Sequence, residues 1–80
     1  MARVVFAEHL LSQTGGTRET TTSAENFRDL LSELEVRWPG SRAALARCAI
    51  AIDGQIYQDA FLEPIPSSGE VFFMQRIEGG

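Results

Sequence analysis

The sequence predicts an α+β fold in which one small mixed sheet packs on one main helix. Two runs rich in β-branched and aromatic residues, near the start and the end of the chain, are typical of strands. Between them, apolar residues recur at helical spacing, and an Asp53-Gly54 dipeptide separates two further short apolar runs. The predicted order is therefore strand, strand, helix, strand, short strand, strand.

The chain is predicted to open with a β-hairpin. Residues 3–10 (RVVFAEHL) carry the composition of a strand, and residues 12–17 (SQTGGT) carry that of a turn. The threonine-rich residues 18–22 (RETTT) can pair back as the second strand.

The main helix is predicted over residues 23–37. Thr22 followed three residues later by Glu25 matches a capping box. The apolar face is formed by Phe27, Leu30, Leu31, Leu34 and Trp38. Pro39-Gly40 ends this helix, and Ser41 is expected to cap a short helical stretch through residue 47.

The second half of the chain is predicted to complete the sheet. Residues 48–52 and 55–58 flank Asp53-Gly54, a dipeptide favoured in two-residue hairpin turns. Residues 67–69 (SSG) mark a further turn, and residues 70–75 (EVFFMQ) form the final strand.

The final strand is predicted to present two apolar faces, because successive side chains of a strand alternate. Phe72 and Met74 share one face, and the other face is expected in the core. With Phe6 or Ile56 as neighbours, Phe72 and Met74 are expected to form an exposed apolar patch that binds a partner. The alternative is a strand buried on both faces, by the helix and by a loop.

Size and composition restrict the classes of function. The 80 residues fit a single domain, 1–80, and 44% hydrophobic with 22% charged residues is typical of globular chains. The net charge of −4 argues against nucleic acid as a partner and favours a basic protein surface. The sequence has no apolar run near the roughly 20 residues that span a membrane and no recognisable secretory leader, so a cytoplasmic location is expected.

The sequence contains few candidates for catalysis or metal binding. Cys48 is the only cysteine and adjoins an apolar run, so it is expected to be a small buried hydrophobe. His9, the only histidine, is expected at a strand end, and no ligands at metal-binding spacing accompany it. Nucleophile-elbow, phosphate-loop and paired-carboxylate motifs are absent, so the domain itself is not expected to be an enzyme.

The arrangement as a whole resembles the ubiquitin-like β-grasp sulfur carriers of the MoaD/ThiS family. The matching segments are residues 4–7 (VVFA), the leucine-bearing helix, residues 51–54 (AIDG), residues 69–71 (GEV) and the terminal Gly79-Gly80. The resemblance covers essentially the whole chain. It implies a β-grasp fold, a mixed sheet of about four to five strands on one main helix, and a flexible C-terminal tail, residues 76–80.

The resemblance also implies the chemistry. An E1-like adenylating enzyme would use ATP to activate the carboxyl group of Gly80, which would become a thiocarboxylate that donates sulfur. An ionised carboxylate is a poor electrophile and needs this activation, and glycine suits a tail that threads a narrow active site. Arg76, Ile77, Glu78 and Gly79 are expected to be the part of the tail that the partner holds. The chain itself is expected to bind no cofactor.

The sulfur acceptor expected from the resemblance is the large subunit of molybdopterin synthase or an equivalent synthase. Molybdopterin carriers usually approach the glycines through Pro-Pro, where this chain has Gln75-Arg76. Gln75 and Ile77 resemble the thiamine carrier, whereas the longer first hairpin and Phe6-Ala7 resemble the molybdopterin carrier. Sulfur delivery to thiamine, cysteine or a specialised thio-metabolite is therefore the alternative within this class.

Two other classes of function share the predicted fold. A ubiquitin-like protein modifier would use the same adenylation, and the absence of lysine excludes lysine-linked chains of the protein itself. A simple binding module, in which Gly79-Gly80 is incidental, is the third class.

Overall fold

The structure is a computed structural model that describes residues 1–76. The strands are β1 (Ala2–Phe6), β2 (Glu19–Thr22), β3 (Ala49–Ile52), β4 (Gln55–Tyr57) and β5 (Glu70–Met74). The α-helices are α1 (Phe27–Arg37) and α2 (Arg42–Ala46), and a short 3-10 helix, Glu8–Leu10, follows β1.

The five strands form one mixed sheet in the order β2-β1-β5-β3-β4. β1 pairs with β2 antiparallel and with β5 parallel, while β3 pairs antiparallel with both β5 and β4. A parallel pair requires a long crossover, and here the connection includes α1. This is the ubiquitin-like β-grasp arrangement, and it confirms the predicted fold class.

The core lies between α1 and one face of the sheet. The helix contributes the predicted apolar residues Phe27, Leu30, Leu31 and Leu34, all buried. The central strands contribute Val4, Phe6, Ile50, Ile52, Val71 and Phe73. The Phe27 and Phe73 rings lie 5.5 Å apart, so the first turn of α1 packs directly on the central strand β5.

The first strand is shorter than predicted. It ends at Phe6, and the chain then turns into the 3-10 helix, in which the N–H of Leu10 donates to the carbonyl oxygen of Ala7 at 3.0 Å. The turn buries Leu10 in the core, which an extended strand through residue 10 would not do. This tertiary contact outweighs the strand-like composition of residues 8–10.

The main helix also begins later than predicted, and its N-cap is Asn26 rather than Thr22. The Asn26 side chain accepts a hydrogen bond from the backbone N–H of Asp29 at 2.8 Å. The Thr22 hydroxyl instead accepts from the N–H of Ala24 and donates to the carboxylate of Glu33. Thr22 therefore joins the end of β2 to the middle of α1.

The short helix α2 is confirmed, but Ser41 does not cap it through its side chain. Its hydroxyl is buried and has no hydrogen-bond partner within residues 1–76. The carboxylate of Glu35 instead accepts hydrogen bonds from the N–H groups of Gly40 and Arg42 at 2.7 and 2.9 Å. Glu35 thus joins the end of α1 to the start of α2.

Candidate functional site

The last strand, β5, lies at the centre of the sheet, paired with β1 and β3. Its side chains alternate as predicted: Val71 and Phe73 are fully buried in the core, while Phe72 and Met74 point to the opposite face. Phe72 and Met74 keep part of their surface accessible, so the alternative of a strand fully buried on both faces is not what the structure shows.

The outer sheet face consists of Val5, Ala51, Ile56, Phe72 and Met74. Ile56 pairs with Ala51, Ala51 with Phe72, and Phe72 with Val5, so these four form one row across the sheet. Directly paired residues share a face of the sheet. Ile56 is 58% exposed and the other four are partly buried. The outer sheet face is therefore an apolar surface opposite α1.

The structure brings Ile56, Phe72 and Met74 together as predicted, but the placement of Phe6 beside them is wrong. Phe6 is 3% exposed, and its ring lies 5.4 Å from Phe73 and 5.7 Å from Trp38. Val5, not Phe6, pairs with Phe72. The sequence does not reveal this register, and a shift of one residue moves every side chain of a strand to the other face.

Charged residues border the outer sheet face. The Arg3 guanidinium lies 3.1 Å from the carboxylate of Glu19 and 3.3 Å from that of Glu70. All three side chains are about half exposed, so these ion pairs add little to stability. They give the apolar face a polar rim, which is typical of protein interfaces.

The tail root is the segment Gln75-Arg76, where the chain leaves β5. Arg76 donates from Nε to the side-chain oxygen of Gln58 at 3.1 Å, which links the tail root to the residue after β4. The predicted tail residues Ile77, Glu78, Gly79 and Gly80 lie outside the described residues.

An open cavity of about 490 Å³ adjoins the tail root. The tail-root cavity is lined by His9, Leu10, Gln13, Ala44, Arg47, Cys48, Gln75 and Arg76. Arg47 and Arg76 are cations, and no carboxylate is among these lining residues. The lining comes from three segments that are distant in sequence, which is why sequence patterns did not reveal it.

Cys48 borders this cavity as a buried thiol, and the prediction of a small buried hydrophobe is confirmed. Burial raises the pKa of the Cys48 thiol, opposed by the weaker effect of the neighbouring Arg47 cation. Its Sγ lies 3.5 Å from the carbonyl oxygen of Ala44. A reactive cysteine has a lowered pKa, so Cys48 has the character of a packing residue.

His9 is exposed on the 3-10 helix, next to the end of β1. Within residues 1–76, His, Cys, Asp and Glu side chains form no group of three that could hold a metal ion. Over the same range, neither α-helix has the length and apolar character needed to cross a membrane.

Comparison with known proteins identifies similar structures but no similar sequence family. The fold is similar to that in the crystal structure of the Amycolatopsis orientalis BexX/CysO complex, with TM-score 0.84, 15% identity and full coverage of both chains. It is also similar to the crystal structure of Mycobacterium tuberculosis CysO, an antigen, with TM-score 0.83, 17% identity, and coverage of 96% of this chain and 100% of that one. No protein-family model and no curated protein matches the sequence. At identities this low, the likeness establishes the fold.

Proposed function

We propose that this protein is a sulfur carrier whose C-terminal glycine, Gly80, is adenylated by an E1-like enzyme and converted to a thiocarboxylate. The observation that carries the proposal is the position of β5. This strand is paired on both sides at the centre of a β-grasp sheet. It ends at Met74, and the sequence after it leads to Gly79-Gly80. A reactive end is thus attached to a firmly held strand.

The structural neighbours support the same class of function. Both similar structures contain CysO, a ubiquitin-like sulfur carrier of the ThiS/MoaD kind. One of them is a complex of CysO with BexX, so a protein of this fold assembles with a second protein in that case. We infer that the present chain also acts by presenting its tail to partner enzymes.

The proposed reaction proceeds in three steps. The Gly80 carboxylate attacks the α-phosphate of ATP, pyrophosphate leaves, and an acyl adenylate forms. The terminal sulfur of a cysteine persulfide on a partner then attacks the acyl carbon, and AMP leaves. A second partner thiolate then attacks the sulfur of that cysteine, a disulfide forms between these two partner sulfurs, and the thiocarboxylate leaves. ATP, the persulfide and the thiol all come from partners, because the carrier contributes only the activated carboxyl group.

The outer sheet face is the proposed docking surface for these partners. Ile56, Phe72 and Met74 offer apolar side chains on a rigid sheet, next to the Arg3 ion pairs that supply a polar rim. Because β5 carries both Phe72 and the tail root, a partner that binds this face also holds the tail in a fixed direction.

As the first candidate for the enzyme that accepts the sulfur, we propose the large subunit of molybdopterin synthase, because the sequence resembles the MoaD/ThiS carriers. The CysO neighbours favour a second candidate, delivery of sulfur to cysteine. Both candidates require the same thiocarboxylate, so only transfer to a defined acceptor enzyme separates them.

The experiment that tests the carrier function is intact-protein mass spectrometry. The full chain is incubated with an E1-like adenylating enzyme, ATP and a persulfide donor. We expect the mass gain of one oxygen replaced by sulfur, located on the last residue. A variant with one alanine added after Gly80 is the matched control, because it keeps the β-grasp domain and displaces the glycine carboxyl group. Sulfur on any other residue, or equal labelling of the control, would falsify the proposal.

A further inference from the structure

We propose that the tail-root cavity binds an acidic segment of the activating enzyme through Arg47 and Arg76. The proposal rests on the carrier function above and adds a second contact to it, separate from the outer sheet face. The cavity opens where the chain leaves β5, so anything bound there lies beside Gln75 and Arg76, the residues from which the tail begins.

The distribution of ion pairs sets this cavity apart from the rest of the surface. Four arginines pair with neighbouring carboxylates: Arg3, Arg18, Arg28 and Arg37. Within residues 1–76, Arg42, Arg47 and Arg76 form no ion pair. Two of these three, Arg47 and Arg76, line the same cavity, and none of the described residues that line it with them carries a carboxylate.

Two cations in one concave site, with no counter-charge among its described lining residues, favour an anionic ligand. A cleft lined by charges of one sign focuses the electrostatic potential. Arginine suits a carboxylate because its planar guanidinium can form two parallel hydrogen bonds with it. The amide groups of Gln13 and Gln75 and the ring of His9 add further donors around the two arginines.

The local charge therefore differs from that of the whole chain. The net charge of −4 predicts attraction to a basic surface, whereas the tail root is locally cationic. A partner that matches both would be basic toward most of the domain and acidic at the point where the tail enters it. Such a pattern sets the orientation of the carrier as well as its affinity.

The length of the tail decides whether the cavity binds a carboxylate of the enzyme or the phosphates of its nucleotide. The four residues after Arg76 span at most about 14 Å when fully extended. An enzyme that holds the tail extended thus places its nucleotide far from the cavity. The surface that meets Arg47 and Arg76 is then the enzyme wall around the tail, and the expected group is an Asp or Glu side chain.

The first test measures the ligand chemistry without any enzyme. The full ¹⁵N-labelled chain is titrated with a hexaglutamate peptide and, separately, with inorganic phosphate, and amide chemical shifts are followed by NMR. We expect the peptide to shift resonances of residues 9–13, 44–48 and 75–76, with the shifts abolished in Arg47→Glu and weakened by salt. Stronger shifts of the same residues by phosphate, or shifts spread over the whole surface, would overturn the proposal.

The second test measures the contact during activation. Arg47→Glu is compared with Arg28→Glu, which makes the same charge change on an exposed arginine of α1. We expect Arg47→Glu to raise the KM for the carrier at least tenfold with kcat nearly unchanged, and Arg28→Glu to have little effect. Arg47→Gln should give a smaller increase and serves if the reversal perturbs folding. Equal KM values for the Arg47 and Arg28 variants would overturn the proposal, whereas absence of sulfur on the wild-type chain would overturn the carrier function instead.

Discussion

The carboxylate of Asp53 accepts a hydrogen bond from the backbone N–H of Glu70 at 2.8 Å, while its own backbone N–H donates to the Glu70 carbonyl oxygen at 2.9 Å. These reciprocal bonds join the β3–β4 turn to the first residue of β5. Asp53 and Gly54 both have left-handed backbone conformations, with φ of 49° and 85°. The turn therefore holds the start of the strand that carries Phe72 and the tail root.

Replacement of Asp53 should lower the stability of the domain. Asp53→Ala removes the acceptor for the Glu70 N–H and puts alanine at a positive φ, so we expect a loss of about 1–2 kcal/mol in the free energy of unfolding. Asp53→Asn keeps a side-chain acceptor and a residue that tolerates this conformation, so it should cost less. Urea unfolding followed by circular dichroism measures both. Equal losses for the two variants would contradict this role of the side chain.

Gly69 should be coupled to Asp53. A Cβ at residue 69 would lie 2.9 Å from both carboxylate oxygens of Asp53, so we expect Gly69→Ala to displace that carboxylate and weaken its bond to Glu70. We expect Gly69→Ala to destabilise the wild-type chain by about 1 kcal/mol and the Asp53→Ala chain by much less. A double-mutant cycle measures the difference. Additive effects would show that the cost of Gly69→Ala does not arise from the Asp53 carboxylate.

Features that depend on residues close together in sequence can be predicted from local patterns, whereas tertiary contacts cannot. The α1 face and the Asp53-Gly54 turn depend on local spacing and backbone preference, and both were predicted. The N-cap was misplaced because Thr22 forms a tertiary hydrogen bond to Glu33 instead. The face of Phe6 depends on strand register, which no local pattern specifies.

Of the two candidate surfaces, the outer sheet face depends on a local pattern and the tail-root cavity depends on tertiary packing. The alternation of β5 predicts that Phe72 and Met74 share a face, because it needs only the period of a strand. The tail-root cavity joins Arg47 at the end of α2 to Arg76 after β5. That juxtaposition is created by the packing of α2 beside the sheet end, which composition and spacing do not encode.

Replacement of Phe6 by alanine should destabilise the fold more than replacement of Phe72, although both are aromatic residues of central strands. Phe6 is buried against Phe73 and Trp38, so Phe6→Ala should cost about 3–5 kcal/mol of unfolding free energy. Phe72 lies on the outer sheet face and is partly exposed, so Phe72→Ala should cost clearly less.

For the affinity of the folded chain for a partner enzyme, we expect Phe72 to matter more than Phe6. Phe72→Ala should weaken association by at least about 1 kcal/mol if this face docks, since apolar residues at an interface centre carry most of the affinity. Calorimetry of the folded Phe72 variant measures this loss, with Val36→Ala on the exposed side of α1 as the control. A Phe72 variant that binds like the Val36 variant would remove the outer sheet face from the interaction.

The contribution of Glu35 to stability should depend on pH. Hydrogen bonds from the N–H of Gly40, and then from that of Arg42, hold the pKa of the Glu35 carboxyl below its ordinary value. The stabilisation is therefore complete above the ordinary glutamate pKa of about 4.3 and is lost as the pH falls through the lower folded value. We expect Glu35→Gln to be less stable than wild type at neutral pH and to approach it in acid.

Thermal unfolding between neutral and acidic pH measures this convergence. Glu25→Gln is the matched control, because within residues 1–76 the exposed Glu25 carboxylate makes no hydrogen bond or ion pair. A stability difference between wild type and Glu35→Gln that stays constant with pH would show that the carboxylate charge is not what joins α1 to α2.

Cys48 should be unreactive in the folded chain. Its thiol is buried and its pKa is raised, so the nucleophilic thiolate is scarce at neutral pH. We expect alkylation by iodoacetamide to be at least about 100-fold slower than in the urea-unfolded chain, because modification requires local opening. Mass spectrometry of timed samples measures both rates. Comparable rates in the folded and unfolded chain would reveal an accessible nucleophile beside the tail root, and a thiol could then carry sulfur at this site. Slow alkylation would agree with the proposal that the Gly80 carboxyl group, not Cys48, carries the sulfur.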